Sequence, residues 1–390
     1  MKKNLFMVAA VALMAMVSCN KEEIGNSGVQ AGAASDIVFS AELEQPGAPA
    51  AEQTPAEAQT KTSLGTTTGD VTSVNWVAGD KVKINGVEFS ATESGTRTDF
   101  TTTASFTEAE TYYAVYPATA AGAADLSKVT IPASQKGTFA EAAISVAKSN
   151  TQSLHFKNVA SIVKFQVPSA CSEVTIESTA DLAGTFNVTF NGETPSVGSV
   201  SNGSKKITLL GSFAPGTDYY VAVLPGSHIF TIRIGGYLSN ASAKAVTTTR
   251  SKIANLQTLP ALVECEWGMV GQHQNWILAK ANLTRLYKEA DNLFVVKGIK
   301  LSSTGFKFTQ LTNTNWDLTF GVHSGDYVYS PLGSWYQGIY TNNRGDKSND
   351  IKVSDWNKTY DIYLRYVQNA NWGKELGFAI VETGTACPSF

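Results

Sequence analysis

The sequence predicts an all-β protein, built as tandem antiparallel β-sandwiches behind a lipoprotein signal peptide. Three observations carry this. Short runs with period-2 alternation recur from Asp36 to the C-terminus, turn residues punctuate them, and amphipathic helical stretches are few. The 390 residues accommodate two to four domains of about 100–200 residues. A hydrophobic content of 43% with 16% charged residues describes an ordered globular chain. The formal charge of −3, with no long basic run, argues against nucleic acid as a partner, because such binding rests on Lys and Arg meeting phosphate.

The first element is a processing segment. Lys2 and Lys3 precede LFMVAAVALMAMV, a basic n-region and an apolar h-region too short for a comfortable membrane span. It ends in MVSC, which resembles a lipoprotein box, with Met16 where leucine is commoner. Residues 1–18 then form the signal peptide, and Cys19 becomes the acylated residue, carrying palmitate-type chains. The alternative is ordinary cleavage with Cys19 incidental. CNKEE follows, and Lys21, Glu22 and Glu23 resemble the lipoprotein export signal of Bacteroidota. The resemblance implies a lipid anchor in the outer membrane with the body facing outward. Read without it, the run is a solvated tether over residues 19–35.

Strand signals begin at DIVFSAEL (36–43) and pause at the Pro/Ala-rich EQPGAPAAEQTPAEAQT, which has no face to bury. In VKINGVEF, Val82, Ile84, Val87 and Phe89 flank Asn85-Gly86, a strong hairpin signal. TYYAVYPA (111–118) is echoed by DYYVAVLPG (218–226), each a strand ended by a proline that cannot continue a central ladder. The echo lies one sandwich length apart, so sandwiches are expected over 36–150 and 151–260, with LHFKNVASIVKFQV opening the second.

KTSLGTTTGDVTSVNWVAGDKVKING (61–86), YYAVYPA and LHF…SIVKFQV together resemble the fimbrillin-like surface lipoproteins of Bacteroidota over about residues 36–260. That family includes pilus subunits, anchors and tip proteins, and members with no pilus role. The resemblance and the strand alternation both make Trp76 a core residue. Polymerising pilins of this kind are matured by an arginine-specific protease that removes an N-terminal strand. Here the first arginine is Arg97, inside the first sandwich, which favours a permanently lipidated protein over a polymerising shaft.

The last third, residues 264–390, is rich in tryptophan: six of the seven lie between Trp267 and Trp372. VECEWGMVG places Val263, Cys265, Trp267 and Met269 on one face of a strand. LFVVKGIKL, GFKFTQL, WDLTFG, DIKV, TYDIYLRYV and LGFAIV follow as strands, while Asn282 to Ala290 reads equally as a short strand or a helical turn. An antiparallel, Ig-like sandwich of seven or eight strands results, with Trp267, Val295, Phe306, Phe308, Ile362 and Leu364 as its core. In order and spacing, these motifs resemble the modules of the SusE/SusF outer-membrane starch-binding lipoproteins over about 265–383. The resemblance implies non-catalytic capture of a glycan at the cell surface. The long insert SGDYVYSPLGSWYQGIYTNNRGDKSN (324–349) departs from it, so starch is not assumed.

Counting strands places the connections bearing Trp276, Trp335 with Tyr336, and Trp372 at one end of that sandwich, with Trp356 at the other. A pyranose offers an apolar C–H face to an aromatic ring and hydroxyls to amide or guanidinium groups. Asn342, Asn343 and Arg344 stand near Trp335 and supply those groups. The candidate glycan-binding set is therefore Trp335, Tyr336, Trp372, Trp276, Arg344, Asn342 and Asn343, with a polysaccharide or oligosaccharide as partner. An insert that folds back and buries its own Trp335 is the competing reading.

Other chemistry finds little support. His155, His228, His273 and His323 are scattered without metal or triad spacing, so neither a metal nor a cofactor is expected. Asp317, Asp326, Asp346 and Asp355 suggest no cleft for paired carboxylates, and no P-loop or nucleophile elbow appears. The chain is expected not to be an enzyme. The alternative function is a pilus-associated adhesin, tip or anchor protein, whose partner would be a pilin; a glycan-uptake role would instead join it to a transporter complex. Cys171, Cys265 and Cys387 remain after Cys19, and a Cys265–Cys387 disulfide is left open.

Overall fold

The computed structural model describes residues 37–44, 63–68, 71–313, 316, 319–322, 333–337, 339–341, 349–365 and 377–389. Cys19, Lys21, Glu22 and Glu23 lie outside them. The described residues form an all-β protein with several sheets in a sandwich-like arrangement and only short helical turns.

Alternation in FSAEL turns Phe39, Ala41 and Leu43 inward on the Phe39–Leu43 strand. This strand closes a barrel whose order continues through Ser153–Asn158, Ser145–Ser149, Tyr112–Tyr116, Lys81–Ile84, Val87–Ala91 and Arg97–Thr101. Asn85 and Gly86 take φ of 45° and 84° between the paired Ile84 and Val87, the left-handed pair that a two-residue hairpin demands. Pairing is not wholly antiparallel: Phe39–Leu43 runs parallel to Ser153–Asn158. Trp76 fills the barrel at 0% exposure, edge-on to Phe100, Tyr116 and Phe156 with centroids at 5.0, 5.1 and 5.2 Å.

The echoed Tyr-Tyr motifs occupy the Tyr112–Tyr116 and Tyr219–Val223 strands and bury the same alternate positions. The expected division at residue 150 needs correction. Val129–Ile131 pairs with Ala183–Asn191, and Ser134–Gln135 with Lys206–Phe213, so both belong to the second module. The chain then returns to the barrel for Ser145–Ser149 and Ser153–Asn158 before leaving for good at Ser161–Gln166. The cause is apolar: Leu126, Val129, Ile131 and Ile144 share one continuous core with Val163, Phe165 and Ile176. LHFKNVASIVKFQV accordingly divides, Leu154 and Phe156 serving the barrel and Val163 and Phe165 the second core.

A charge clamp marks this junction. Arg250 donates from Nη1 and Nη2 to the Glu44 carboxylate at 2.7 and 3.1 Å, and from Nη1 to the Asn158 carbonyl at 2.8 Å. Burial pushes the Glu44 carboxyl upward, but Arg250 and the Asn158 N–H outweigh it and hold it below the usual range.

The last module is one nine-stranded sheet in the order Trp335–Gln337, Gly377–Glu382, Thr359–Arg365, Leu293–Lys300, Thr284–Ala290, Glu264–Gly271, Phe306–Gln310, Thr319–Gly321, Ile339–Thr341. It folds over a single core, where Phe378 of one half meets Phe308 and Phe320 of the other at 6.1 and 6.2 Å. The ambiguous stretch is a strand, Thr284–Ala290. Val263, placed on the core face by alternation, is 54% exposed, because the ladder starts at Glu264 and shifts register before Gly268.

Val295 is buried on the other side of the sheet, with Tyr363, Ala379 and Val381. Tyr237 of the second module packs there. Its ring lies 4.7 Å from that of Tyr287, and its hydroxyl accepts from the Lys297 N–H at 3.1 Å. Arg233 pairs with Glu289 at 2.8 Å beside it. Cys265 sits in the inner core, where burial pushes its thiol up to about 12, while Cys387 packs on the outer cluster. The sheet separates them, and Cys171, Cys265 and Cys387 are all free thiols.

Candidate functional site

Trp335 does not stand on an exposed loop tip. It lies in the edge strand Trp335–Gln337 opposite Ala379, half-buried against the outer apolar cluster. Its indole N–H donates to the Pro388 carbonyl at 2.9 Å. Tyr336 packs against the inner core and stacks on Phe378 at 5.5 Å. Successive strand residues point to opposite faces, so Trp335 and Tyr336 do not share a surface. Trp372, Asn342, Asn343 and Arg344 lie outside the described residues.

The expected clustering of loops at one end is also corrected. Gly271, which leads to Trp276, lies at the end where Lys300 pairs with Thr359. The connection holding Trp372 leaves from Arg365 and Gly377, at the opposite end. The Trp276 connection thus starts at the end that carries Trp356, whereas the Trp316 connection follows Gln310 at the other end. The count failed at DIKV: residues 349–353 make only isolated bridges, Phe306 with Ile351 and Val322 with Asn349, and do not traverse the sheet.

What the structure brings together instead is Trp276 and Trp316, their ring centroids 5.9 Å apart and inclined at 53°. Trp316 is 43% exposed, Ile277 42%, and Trp276 half-buried. Trp276 comes from the connection between Glu264–Gly271 and Thr284–Ala290, Trp316 from the one between Phe306–Gln310 and Thr319–Gly321.

The Trp276 connection is tightly specified. Asn275 and Trp276 both adopt left-handed backbone, with φ of 61° and 55°. Asparagine tolerates this. For a bulky residue such as tryptophan it costs on the order of 1–3 kcal/mol, strain that concentrates at functional surfaces. The Trp276 N–H donates to the Gly271 carbonyl at 2.9 Å, and the Asn275 N–H to that of Gln272 at 3.0 Å. Gln274 brackets Ile277, donating to its carbonyl at 2.9 Å and accepting from its N–H at 2.7 Å. His273 anchors the base of the connection through Nε2 on Thr284 Oγ1 at 3.0 Å. Burial pushes its imidazole below the ordinary range, so at pH 7 it is a neutral structural group.

Two tilted indoles, Trp316 exposed and Trp276 half-buried, offer an aromatic surface of the kind that suits a flat, half-apolar ligand. Among the described residues no cluster of His, Cys, Asp and Glu is placed to hold a metal. Asp355 is occupied within its own loop, accepting from the Asn357 N–H at 3.0 Å. Asp317, Asp326 and Asp346 lie outside the described residues. Sequence reasoning passed over Trp316 by starting a strand at WDLTFG, whereas that strand begins at Thr319. The turn-rich run TNTNW before it was the available signal.

No family model matches the sequence, and no curated protein does. Among solved structures, a fimbrial protein from Bacteroides ovatus is similar, with 10% identity and a TM-score of 0.22. The match covers 50% of this chain and 48% of that one, about half of each, and at that level it carries no argument about function.

Proposed function

We propose that this chain is a non-catalytic, cell-surface glycan-binding protein whose principal sugar contact is the Trp276–Trp316 pair. The supporting observation is an indole pair, Trp316 exposed and Trp276 half-buried, with Trp276 held by a strained, hydrogen-bonded connection. Exposing so much aromatic surface has a hydration cost that a bound apolar ring face would recover. In this reading Cys19 carries the acyl chains, Lys21, Glu22 and Glu23 direct export, and the barrel and second module act as the stalk. Glycan capture of this kind serves an uptake complex or an adhesin.

The test begins with a glycan array on residues 20–390, followed by calorimetry on the strongest sugar. Trp316→Ala is expected to weaken binding by about 5- to 150-fold, equivalent to about 1–3 kcal/mol. Its melting temperature should stay close to that of the parent protein. Trp335→Ala, whose indole is bonded to the Pro388 carbonyl on an edge strand, serves as the control. Unchanged sugar affinity in both Trp276→Ala and Trp316→Ala would remove the site from consideration.

A further inference from the structure

A cleft of about 420 Å³, remote in sequence from the tryptophan pair, lies where the barrel wall meets the second module. Its barrel side comes from the paired strands Tyr112–Tyr116 and Ser145–Ser149, in which Tyr113 stands opposite Lys148. Tyr113 follows buried Tyr112 and Lys148 follows buried Ala147, so alternation sends both side chains out of the barrel. The Tyr113 main chain is pinned by the hairpin turn: its N–H donates to Asn85 Oδ1 at 2.7 Å, and its carbonyl accepts from the Asn85 N–H at 2.9 Å. The Lys148 ammonium lies over the Tyr113 ring, 5.9 Å from its centroid, and makes no ion pair among the described residues.

The Ala183–Asn191 strand supplies the opposite side, with Asn187, Thr189 and half-buried Phe190. The Val188 N–H donates to the Leu126 carbonyl at 2.8 Å and ties this wall to the turn that closes the cleft. The Asn187 carboxamide lies over Gly198, where a Cβ would come within 2.4 Å of its Oδ1, and it makes no hydrogen bond among the described residues. In the turn, the Ser127 N–H donates to Asp125 Oδ1 at 2.9 Å, and the Ser127 hydroxyl donates to the same oxygen. These bonds hold the exposed Asp125 carboxyl below the usual range and leave Oδ2 to accept from a ligand. One uncompensated cation, a free carboxamide, a carboxylate acceptor and an aromatic ring thus border one cavity.

We propose that this cleft binds an acidic sugar, a pyranose whose carboxylate meets Lys148, whose hydroxyls meet Asn187 and Asp125, and whose C–H face meets Phe190. Each group answers a different part of such a ligand. A phosphate dianion would be repelled by Asp125 and would leave Phe190 unused. The site has its own residues and does not rest on the tryptophan pair.

The test titrates residues 20–390 with methyl glucuronide and methyl galacturonide by saturation-transfer NMR, with methyl glucoside and methyl galactoside as neutral counterparts. At least one uronide should bind saturably, favoured over its neutral counterpart by about two- to fivefold, the scale of an exposed ion pair. Lys148→Gln should remove that preference and Lys148→Glu should reverse it, with melting temperatures unchanged because Lys148 is exposed. Asn187→Ala should weaken uronide binding by about two- to tenfold, the scale of one hydrogen bond. Trp316→Ala should leave uronide affinity as it is, which separates failure of this site from failure of the tryptophan pair. Four results overturn the proposal: no saturable uronide binding, equal affinity for charged and neutral sugars, a preference that survives Lys148→Gln, or uronide binding lost in Trp316→Ala. The last would move the acidic sugar to the tryptophan pair.

Discussion

Trp76 in the first module and Trp316 in the last are the same side chain at 0% and 43% exposure, and topology accounts for the contrast. A closed barrel has no edge strand, and its connections among the described residues are mostly short. Its large rings therefore share one interior, where Trp76, Phe100, Tyr116 and Phe156 meet edge to face. The nine-stranded sheet has two edges and long connections, so aromatic residues also fall outside the core, on an edge strand for Trp335 and on connections for Trp276, Trp316 and Trp356. Residue type alone does not sort tryptophans into core and surface. Position does: an inward strand face buries Trp267 at 0% in the same open sheet, while connections leave Trp316 and Trp356 exposed.

The sharpest break of this contrast is Trp76→Ala. Removing a fully buried indole from a closed barrel is expected to cost about 3–5 kcal/mol, read as a lower denaturant midpoint for the first module. The indole Nε1 of Trp76 is buried without a hydrogen-bond acceptor. Trp76→Phe should therefore cost less than the volume change alone suggests, because it removes an unpaired donor together with the lost contacts. A Trp76→Ala protein that unfolds at the parental midpoint would mean the barrel is not held by this cluster.

Trp335 tests the intermediate case. It covers Val295, Tyr363, Ala379 and Val381 and bonds to the Pro388 carbonyl, so Trp335→Ala should destabilise the last module by about 2–3 kcal/mol. Sugar affinity should be unchanged when measured below the melting transition. Loss of affinity without loss of stability would restore Trp335 as a platform and reverse the assignment made from the edge strand.

The clamp between Glu44 and Arg250 gives a smaller, pH-dependent effect. The folded carboxyl of Glu44 is held below its unfolded value. Its contribution is therefore present above the ordinary glutamate range and lost as pH falls through the depressed folded value. Arg250→Ala should cost about 1–2 kcal/mol at pH 7, and the gap from the parent should narrow on acidification towards pH 3. Thermal melts at pH 7 and pH 3 on both proteins check this. A gap that widens in acid would contradict the direction.

Much of this was legible in the sequence. Alternation in FSAEL, SIVKFQ and YYAVY gave the strands and their inward residues, and Asn85-Gly86 gave the hairpin, because these signals are local. The exchange of segments between the first two modules was not legible, since whether Val129 and Ile131 join one core or the next depends on pairing across about 55 residues. The placement of the connections was misread for a related reason. Strand parity is a global count, and DIKV, which looks like a strand, makes only single bridges. One miscounted crossing exchanges the two ends for every later connection. Trp276 kept its place among the candidates, while its neighbour Trp316 became visible only once the two connections were seen side by side.

The finest test concerns how Trp276 is held. The Gln274 side chain spends both polar atoms on Ile277, across the left-handed residues Asn275 and Trp276. Those bonds fix the connection before a ligand arrives, so their value lies in ordering already done. Gln274→Ala should change global stability by no more than about 0.5 kcal/mol, because the residue lies on an exposed connection. It should nevertheless weaken sugar binding by about two- to tenfold, since a loosened connection must be ordered on binding at about 0.5–1.5 kcal/mol. Hydrogen exchange at the Ile277 amide, which Gln274 accepts, should speed up in parallel. Faster exchange with unchanged affinity would show that the strained backbone, and not the Gln274 bracket, sets the orientation of Trp276 towards Trp316.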